Sequence, residues 1–264
     1  MHSKKNRIKE ALANKECAFG AWVQMASSEV VEAMAYQGYD FLLIDMEHGQ
    51  FGYDQLRYLI QAADAAQITA IVRVPNSYES TILKVMDMGI VGIVVPNVNT
   101  KEEASRAIRA GKYSPQGMRG ACPWTRAAEY NSLDWSEHMK WTREQTTVWL
   151  TIETKEGVDN ADEILSVSDI DGVMIGAFDM AQSLNIPGEI TNPLVTERVN
   201  KVAQKVVSKN IPLVGALFAD PEGLPGAIKT WQDRGSRIMI IGGDRGILCR
   251  GARELVTIAH KTVK

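Results

Sequence analysis

One stretch of the chain, residues 41–48, reads FLLIDMEH and joins a short apolar run to a group of ionisable side chains. An apolar run without polar alternation is typical of a strand covered on both faces, as in a parallel sheet or barrel. Eight such runs occur, and helical periodicity follows them, which is the pattern of βα units. They comprise residues 19–25, 41–48, 69–75, 92–98, 148–154, 172–177, 212–218 and 237–242.

Eight βα units predict a single α/β domain over residues 1–264, namely a (β/α)8 TIM barrel. The length of 264 residues agrees, because such barrels form one domain of about 250 residues. Residues 4–15 predict an extra helix before the first strand, and no Ser/Gly-rich linker marks a second domain.

The composition excludes several classes of function. Apolar residues make up 45% and charged residues 23%, as in an ordinary globular protein. A net charge of −3 without long runs of one sign argues against a nucleic-acid surface. No apolar run approaches the roughly 18 residues of a membrane span, the N-terminus lacks a signal-peptide core, and the three cysteines lack zinc-like spacing. We expect a cytoplasmic protein that binds small molecules, with no membrane or nucleic-acid partner.

Polar residues follow the predicted strands, where barrel enzymes carry their chemistry. Glu153 and Asp179 end adjacent predicted strands, so their carboxylates can share a Mg²⁺ or Mn²⁺ ion; the alternative is a surface acid and a helix cap. His48 is a candidate general base or a structural histidine. Arg73 can neutralise a substrate carboxylate or enolate oxygen, or form a salt bridge with Asp45 or Glu47.

Three further segments carry weaker signals. Residues 176–179 offer free backbone N–H groups that suit a carboxylate, and residues 242–246 are a glycine-rich candidate for a phosphate cradle. Trp22 is either a wall of the pocket or part of the core. Residues 113–135 are too long for a routine connection, so we expect a lid, a subunit contact or a plain surface loop.

Taken together, these residues resemble the HpcH/HpaI family of metal-dependent, pyruvate-using class II aldolases. The resemblance covers nearly the whole chain and depends on several ordered motifs. They are Gly38-Tyr39-Asp40-Phe41, Leu43-Ile44-Asp45-Met46-Glu47-His48, Val72-Arg73, Leu83-Lys84-Val85-Met86-Asp87-Met88-Gly89, Gly117-Met118-Arg119-Gly120, Ile152-Glu153 and Ile170-Asp171-Gly172-Val173-Met174-Ile175-Gly176 continuing to Asp179.

The resemblance implies a role for each matching residue. Glu153 and Asp179 match the two protein ligands of a divalent metal, which is Mg²⁺ or Mn²⁺, with Co²⁺ as a further candidate. Arg73 matches the arginine that holds the pyruvyl oxygen and stabilises the enolate. His48 matches the acid/base histidine. Asp45 and Asp87 match the carboxylate partners of this histidine, with Asp87 from the same or a neighbouring subunit. The backbone around Phe178 and Asp179 matches the site of the pyruvate carboxylate. Trp22 matches a residue of the pocket wall, and Leu217 matches one that borders the acceptor aldehyde.

Two positions depart from the family pattern. Thr151 stands where the family commonly has a glutamine that contacts substrate, and Phe178 stands where a small residue is common. Both changes bear on the donor pocket, so the resemblance supports the chemistry better than it supports the identity of the substrate.

The resemblance implies a carbon–carbon lyase that cleaves a 4-hydroxy-2-oxo acid to pyruvate and an aldehyde. His48 and a metal-bound water both stay open as the base. The alternatives are a lyase, synthase or decarboxylase acting on oxaloacetate or another 2-oxo acid, and a non-catalytic barrel. The resemblance also implies a homo-oligomer, a hexamer, in which residues 246–264 pack on a neighbouring barrel. Arg119 or Arg126 is expected to bind an acidic acceptor.

Overall fold

Eight parallel strands close into a barrel in chain order in the computed structural model, which describes residues 4–130 and 134–263. The strands are β1 (Ala18–Val23), β2 (Phe41–Asp45), β3 (Thr69–Arg73), β4 (Gly92–Val95), β5 (Thr147–Ile152), β6 (Gly172–Ile175), β7 (Leu213–Leu217) and β8 (Ile238–Gly243). Every predicted run overlaps one strand, and the predicted (β/α)8 barrel is confirmed.

Helices surround the barrel between successive strands. They are α1 (Arg7–Ala13), α2 (Ser28–Ala35), α3 (Tyr53–Ala65), α4 (Glu79–Asp87), α5 (Lys101–Gly111), α6 (Trp135–Gln145), α7 (Lys155–Asp159), α8 (Ala161–Ile164), α9 (Ala177–Ser183), α10 (Pro193–Ser208), α11 (Leu224–Asp233) and α12 (Asp244–Thr262). Within the two described ranges, no helix combines the length and apolarity needed to cross a membrane.

The extra N-terminal helix α1 lies at the end of the barrel where the strands begin. Its Ile8 is buried in the same cluster as Phe41, Leu43 and Trp149, and the Arg7 N–H donates to Thr69 Oγ1 at 3.0 Å. Because α1 packs at this end, the opposite end, where the strands finish, is the one left for a site.

The alternation of side chains along the strands decides which residues reach that site. Leu43, Ile71 and Trp149 belong to the cluster inside the barrel, whereas their neighbours Leu42 and Leu150 belong to the cluster that includes the surrounding helices. Since successive side chains of a strand point to opposite faces, the residues two positions after an inward one also point inward. This parity directs Asp45, Arg73 and Glu153 into the barrel mouth.

The first seven predicted strands continue too far at their C-terminal ends, whereas the eighth ends one residue before β8 does. Strand β2 ends at Asp45 rather than His48, because the Asp45 side chain ends it: Oδ1 accepts the N–H groups of Glu47 at 3.1 Å and His48 at 3.4 Å. Asp and Asn side chains form such turns readily, since their oxygens reach backbone N–H groups two residues on. The turn sets Glu47 and His48 at the rim of the barrel.

The long segment after α5 lies at the strand-start end, away from the barrel mouth. Arg126 Nη2 donates to Asp64 Oδ2 at 2.5 Å and Arg126 Nη1 donates to the Met88 carbonyl at 2.9 Å, at the C-terminal ends of α3 and α4. A helix that follows a barrel strand runs back toward the strand starts, so its C-terminus marks that end. Residues 113–130 therefore do not form a lid over their own barrel, and residues 131–133 lie outside the described part. The subunit-contact alternative stays a prediction.

The last helix, α12, packs on the barrel only where it begins. Asp244 is its one buried residue, and Leu248, Leu255, Val256 and Ile258 are exposed by 54–71%. The helix spans most of the predicted 246–264 segment, of which Lys264 lies outside the described residues. The expected packing on a neighbouring barrel and the hexamer stay predictions.

Candidate active site

A cavity of about 420 Å³ opens at the end of the barrel where the strands finish. Its lining includes most of the residues that the sequence singled out. These are Trp22, His48, Arg73, Glu153, Phe178, Asp179 and Leu217, joined by Gln24, Gly176, Phe218, Arg245 and Arg250. Barrel enzymes place their active sites at this end, so the cavity is the candidate active site.

A buried ion pair forms the floor of the cavity. Arg73 Nε and Nη2 donate to the two oxygens of Asp45 at 2.8 and 2.6 Å, and Arg73 Nη1 lies 3.0 Å from Glu47 Oε2. Gln24 Nε2 donates to Asp45 Oδ2 at 2.8 Å, and the Arg73 guanidinium lies 4.4 Å from the centre of the Trp22 ring. These contacts fix the guanidinium plane, so the arginine is preorganised to meet an anionic oxygen.

The same contacts control the charges of this group. Burial acts to raise the pKa of Asp45, but the hydrogen bonds and charge of Arg73 outweigh it and hold that pKa below its ordinary value. Burial also acts against the charged form of Arg73, yet Asp45 and Glu47 raise the pKa of the guanidinium. Burial raises the pKa of Glu47, which Arg73 only partly offsets. The site therefore keeps Arg73 positive and Asp45 negative.

Glu153 is the most buried acid of the cavity lining, at 2% exposure. The Asn97 N–H donates to its Oε1 at 2.7 Å, and Asn97 reaches this position through a left-handed backbone with φ of 54°. Burial, joined by the negative charges of Asp179 and Glu47, raises the pKa of Glu153 to about 7. The structure thus holds three acids close enough to oppose each other's ionisation, which a bound cation would relieve.

Gly176 makes the room that this carboxylate occupies. A Cβ atom at Gly176 would lie 2.4 Å from Glu153 Oε2 and 2.7 Å from Glu153 Cβ, closer than any ordinary contact. Glycine at the start of α9 therefore lets the β6 end approach the Glu153 side chain. Oε1 is held by a backbone N–H, and Oε2 accepts no hydrogen bond within residues 4–130 and 134–263.

Asp179 lies in the first turn of α9 and lines the same cavity. The alternative that it caps this helix is wrong, because Gly176 occupies the N-cap position. The side chain is therefore available to the cavity. In the described part of the chain, no three His, Cys, Asp or Glu side chains form a complete metal cage. Glu153 and Asp179 fit a Mg²⁺ or Mn²⁺ site that takes its remaining oxygen ligands from substrate and water.

His48 lies at the rim, exposed and in the cavity lining. Its predicted partner Asp45 contacts the His48 backbone N–H, while both carboxylate oxygens are taken up by Arg73 and Gln24. Asp45 therefore positions the turn that carries His48 and does not orient its imidazole. The ring stays open to the cavity, where a proton acceptor can meet a substrate hydroxyl.

Asp45 lies beside the cavity as the partner of Arg73, and four other predicted residues are absent from the lining, namely Asp87, Arg119, Arg126 and Thr151. Arg119 is buried at the other end of the barrel, where Nη2 donates to Asp87 Oδ1 at 2.7 Å and its guanidinium stacks on Tyr113 at 4.6 Å. Neither Arg119 nor Asp87 lines the cavity of its own chain, because α4 ends at the strand-start side. Thr151 points inward one layer below Glu153, and its fully buried hydroxyl has no hydrogen-bond partner in the described ranges.

Several cavity residues were missed by the sequence reasoning. Gln24 lies two positions after the inward-pointing Trp22 and so shares its face of the chain, a signal that was available in the sequence. Phe218 directly follows β7 and packs edge-on against Phe178 with ring centres 4.8 Å apart. Arg250 lies on α12, and its position depends on how this helix lies at the barrel mouth. Arg245 belongs to the segment 242–246 that the sequence offered as a phosphate cradle, and four residues of this segment line the cavity.

Comparison with known proteins identifies the family of the chain. The family model described as HpcH/HpaI aldolase/citrate lyase matches residues 18–245. The chain is 27% identical to 5-keto-4-deoxy-D-glucarate aldolase of Salmonella arizonae, over 97% of each chain. Among solved structures, citrate synthase SbnG has a TM-score of 0.87 and 32% identity, covering 97% of this chain and 99% of that one. An HpcH/HpaI aldolase/citrate lyase family protein from Burkholderia cenocepacia has a TM-score of 0.88 and 25% identity, covering 97% and 100%.

Proposed function

Because this chain belongs to the HpcH/HpaI aldolase/citrate lyase family and is a carbon–carbon lyase, we propose that it is a divalent-metal-dependent aldolase. The proposed reaction is the reversible cleavage of a 4-hydroxy-2-oxo acid to pyruvate and an aldehyde. One observation carries this proposal: Glu153 and Asp179 line the same cavity as Arg73 and His48, at the end of the barrel where the strands finish.

The residues present fit a hard divalent cation. Glu153 has one oxygen free of hydrogen bonds, Gly176 leaves room for its carboxylate, and Asp179 adds a second acid. Carboxylate oxygens are the ligands that Mg²⁺ and Mn²⁺ prefer. When bound there, the cation would act as a Lewis acid toward the 2-oxo group of the substrate.

The protein side chains supply binding and proton transfer. Arg73 holds the 2-oxo oxygen, and its fixed positive charge stabilises the negative charge that develops on this oxygen. In the cleavage direction, His48 accepts the proton of the 4-hydroxyl group, the C3–C4 bond breaks, and its electron pair forms the pyruvate enolate as the aldehyde leaves. Protonation of C3 then yields pyruvate. Backbone N–H groups near Phe178 and Asp179, where α9 begins, bind the substrate carboxylate.

A second candidate is condensation or cleavage chemistry on oxaloacetate. The similarity to citrate synthase SbnG, at 32% identity over nearly the whole chain, favours it. Phe178 lines the cavity beside Asp179 where the family commonly has a small residue, and this change in the donor pocket favours a 2-oxo acid other than pyruvate. The two candidates share the metal site and differ in the donor.

The test follows the exchange of pyruvate methyl protons with D₂O by NMR, with Mn²⁺ or Mg²⁺ present and then with EDTA. Exchange requires enolisation alone, so no aldehyde has to be guessed. We expect metal-dependent exchange that is lost in Glu153→Gln and Arg73→Gln, with Glu156→Gln on α7 as the matched control. Exchange that persists in EDTA would contradict metal dependence. Absence of exchange with pyruvate, together with turnover of oxaloacetate, would favour the second candidate.

A further inference from the structure

Two arginines of the cavity take no part in the proposed chemistry. Arg245 and Arg250 both line it from α12. The Arg245 guanidinium crosses to the ends of β1 and β2, where Nη2 donates to the Gln24 carbonyl at 2.9 Å and Nη1 to the His48 carbonyl at 3.4 Å. In a closed barrel of eight strands in chain order, β1 and β2 lie opposite β5 and β6, which carry Glu153 and Asp179. The Arg245 charge is thus across the mouth from the acids.

These two charges lack a carboxylate partner, unlike that of Arg73. Arg73 pairs with Asp45 and Glu47, whereas Arg245 contacts only neutral carbonyl oxygens. Within the described ranges, no Asp or Glu lies within salt-bridge distance of Arg245 or Arg250. A guanidinium has five N–H donors, so the two carbonyl contacts leave Arg245 with donors for a further acceptor. A guanidinium that lines a cavity and has no carboxylate partner attracts anionic oxygen atoms of a ligand.

Apolar side chains line the same cavity as these arginines and the reacting groups. Phe178 and Phe218 meet edge to face, and Leu217 and Ile247 also line the cavity. These side chains offer no hydroxyl or amide to a ligand. They suit a carbon chain that joins a reacting group to a distant charge.

We propose that Arg245 and Arg250 form an anion subsite that holds the charged end of the acceptor aldehyde and selects acceptors by their charge. This inference rests on the proposed aldolase function and assigns the acceptor end of the same cavity. The bound group is a carboxylate or a phosphate, since a guanidinium pairs with either. This subsite takes the role that the sequence analysis gave to Arg119, which the fold places at the opposite end of the barrel.

The experiment measures condensation of pyruvate with three aldehydes: succinic semialdehyde, glyceraldehyde 3-phosphate and neutral butanal. Arg250→Glu reverses a charge that makes no hydrogen bond within the described ranges, and Arg245→Lys keeps the charge while shortening its reach. Arg253→Glu is the matched control, because it makes the same charge change on α12 outside the cavity lining. We expect KM for the preferred anionic aldehyde to rise about 10- to 100-fold in Arg250→Glu, as for a lost charged hydrogen bond.

The pattern across aldehydes decides the outcome. A rise in KM confined to the anionic aldehydes supports the subsite, and the larger of the two rises identifies carboxylate or phosphate. Equal changes for butanal and the anionic aldehydes would show a structural effect and overturn the proposal, as would no change. Partial recovery in Arg245→Lys relative to Arg245→Gln would support a role for charge.

A binding measurement separates this inference from the proposed function. If the wild-type protein fails to exchange pyruvate protons, the aldolase proposal fails, but calorimetric titration with glutarate and with inorganic phosphate still tests the subsite. Tighter binding of either anion by the wild type than by Arg250→Glu, with Arg253→Glu unchanged, would support it. Equal binding by all three proteins would overturn it.

Discussion

Gly176→Ala tests whether the space at the start of α9 is what allows Glu153 to act as a metal ligand. The added Cβ would lie 2.4 Å from Glu153 Oε2, whereas ordinary contacts begin near 3.4 Å. The carboxylate must therefore retreat by about 1 Å, a displacement that can cost roughly 100-fold in rate at a catalytic site. Because Asn97 N–H holds the other oxygen, the side chain has little freedom to retreat without losing that hydrogen bond.

The expected result is a loss of function with a retained fold. We expect the dissociation constant for Mn²⁺ to rise about 10- to 100-fold and pyruvate proton exchange to fall by about 100-fold. Overpacking of this kind costs about 1–3 kcal/mol of stability, so the barrel should still fold. Calorimetry with Mn²⁺ measures binding, and circular dichroism with a thermal melt confirms folding.

Gly226→Ala is the control for this variant. Gly226 lies in α11, its added Cβ would meet nothing within 4 Å, and its backbone is helical. It should bind Mn²⁺ as the wild type does. A folded Gly176→Ala protein with wild-type Mn²⁺ affinity and wild-type exchange would refute the reasoning, because the Glu153 carboxylate would then not need the space.

Three further predictions concern the barrel interior. Asp45→Asn removes the bidentate carboxylate partner of buried Arg73 and leaves it only Glu47, so the free energy of unfolding measured in urea should fall by about 3–5 kcal/mol. Since the folded pKa of Asp45 lies below its ordinary value of 3.8, this difference should be constant above about pH 5 and shrink as the pH falls through the folded pKa; a difference unchanged at pH 3 would contradict the assignment. Trp22→Leu should destabilise the protein by about 0.5–2 kcal/mol more than Trp22→Phe does, because leucine removes the ring that the Arg73 guanidinium faces at 4.4 Å; equal melting temperatures for the two variants would count against this contact. Thr151→Val removes a buried hydroxyl that has no hydrogen-bond partner in the described ranges, so unfolding should cost about 1 kcal/mol more, and a loss of stability would show that the hydroxyl is bonded.

The site residues differ in how far local sequence predicts them. Arg73 and Glu153 stand at the ends of apolar runs, at positions whose side chains point into the barrel. Closure of the parallel strands brings such residues together at one end. Asp87 and Arg119 carry no comparable signal. Asp87 is the last residue of α4 and Arg119 lies in the segment after α5, and both are at the opposite end of the barrel, where they pair with each other.

The sequence offered a salt bridge of Arg73 with Asp45 or Glu47 as one alternative, and the structure contains both contacts, but the partner that it suggested for His48 was wrong. Asp45 is three residues from His48, and proximity in the chain suggested a carboxylate for the imidazole. The structure gives both oxygens to Arg73 and Gln24 instead, because these side chains converge on Asp45 from β3 and from the residue after β1. Competition between hydrogen-bond donors is decided in three dimensions, since a carboxylate has only two oxygens to share.

The sequence by itself determined the eight βα units, the closed barrel they predict, and the strand-end residues Arg73 and Glu153, because apolar runs and strand parity are local properties. Tertiary structure decided the rest. Barrel closure places β8 beside β1, so Arg245 reaches the carbonyl groups of Gln24 and His48 although about 200 residues separate them. Such contacts arise from closure and packing, which depend on every strand at once and leave no local pattern in the chain.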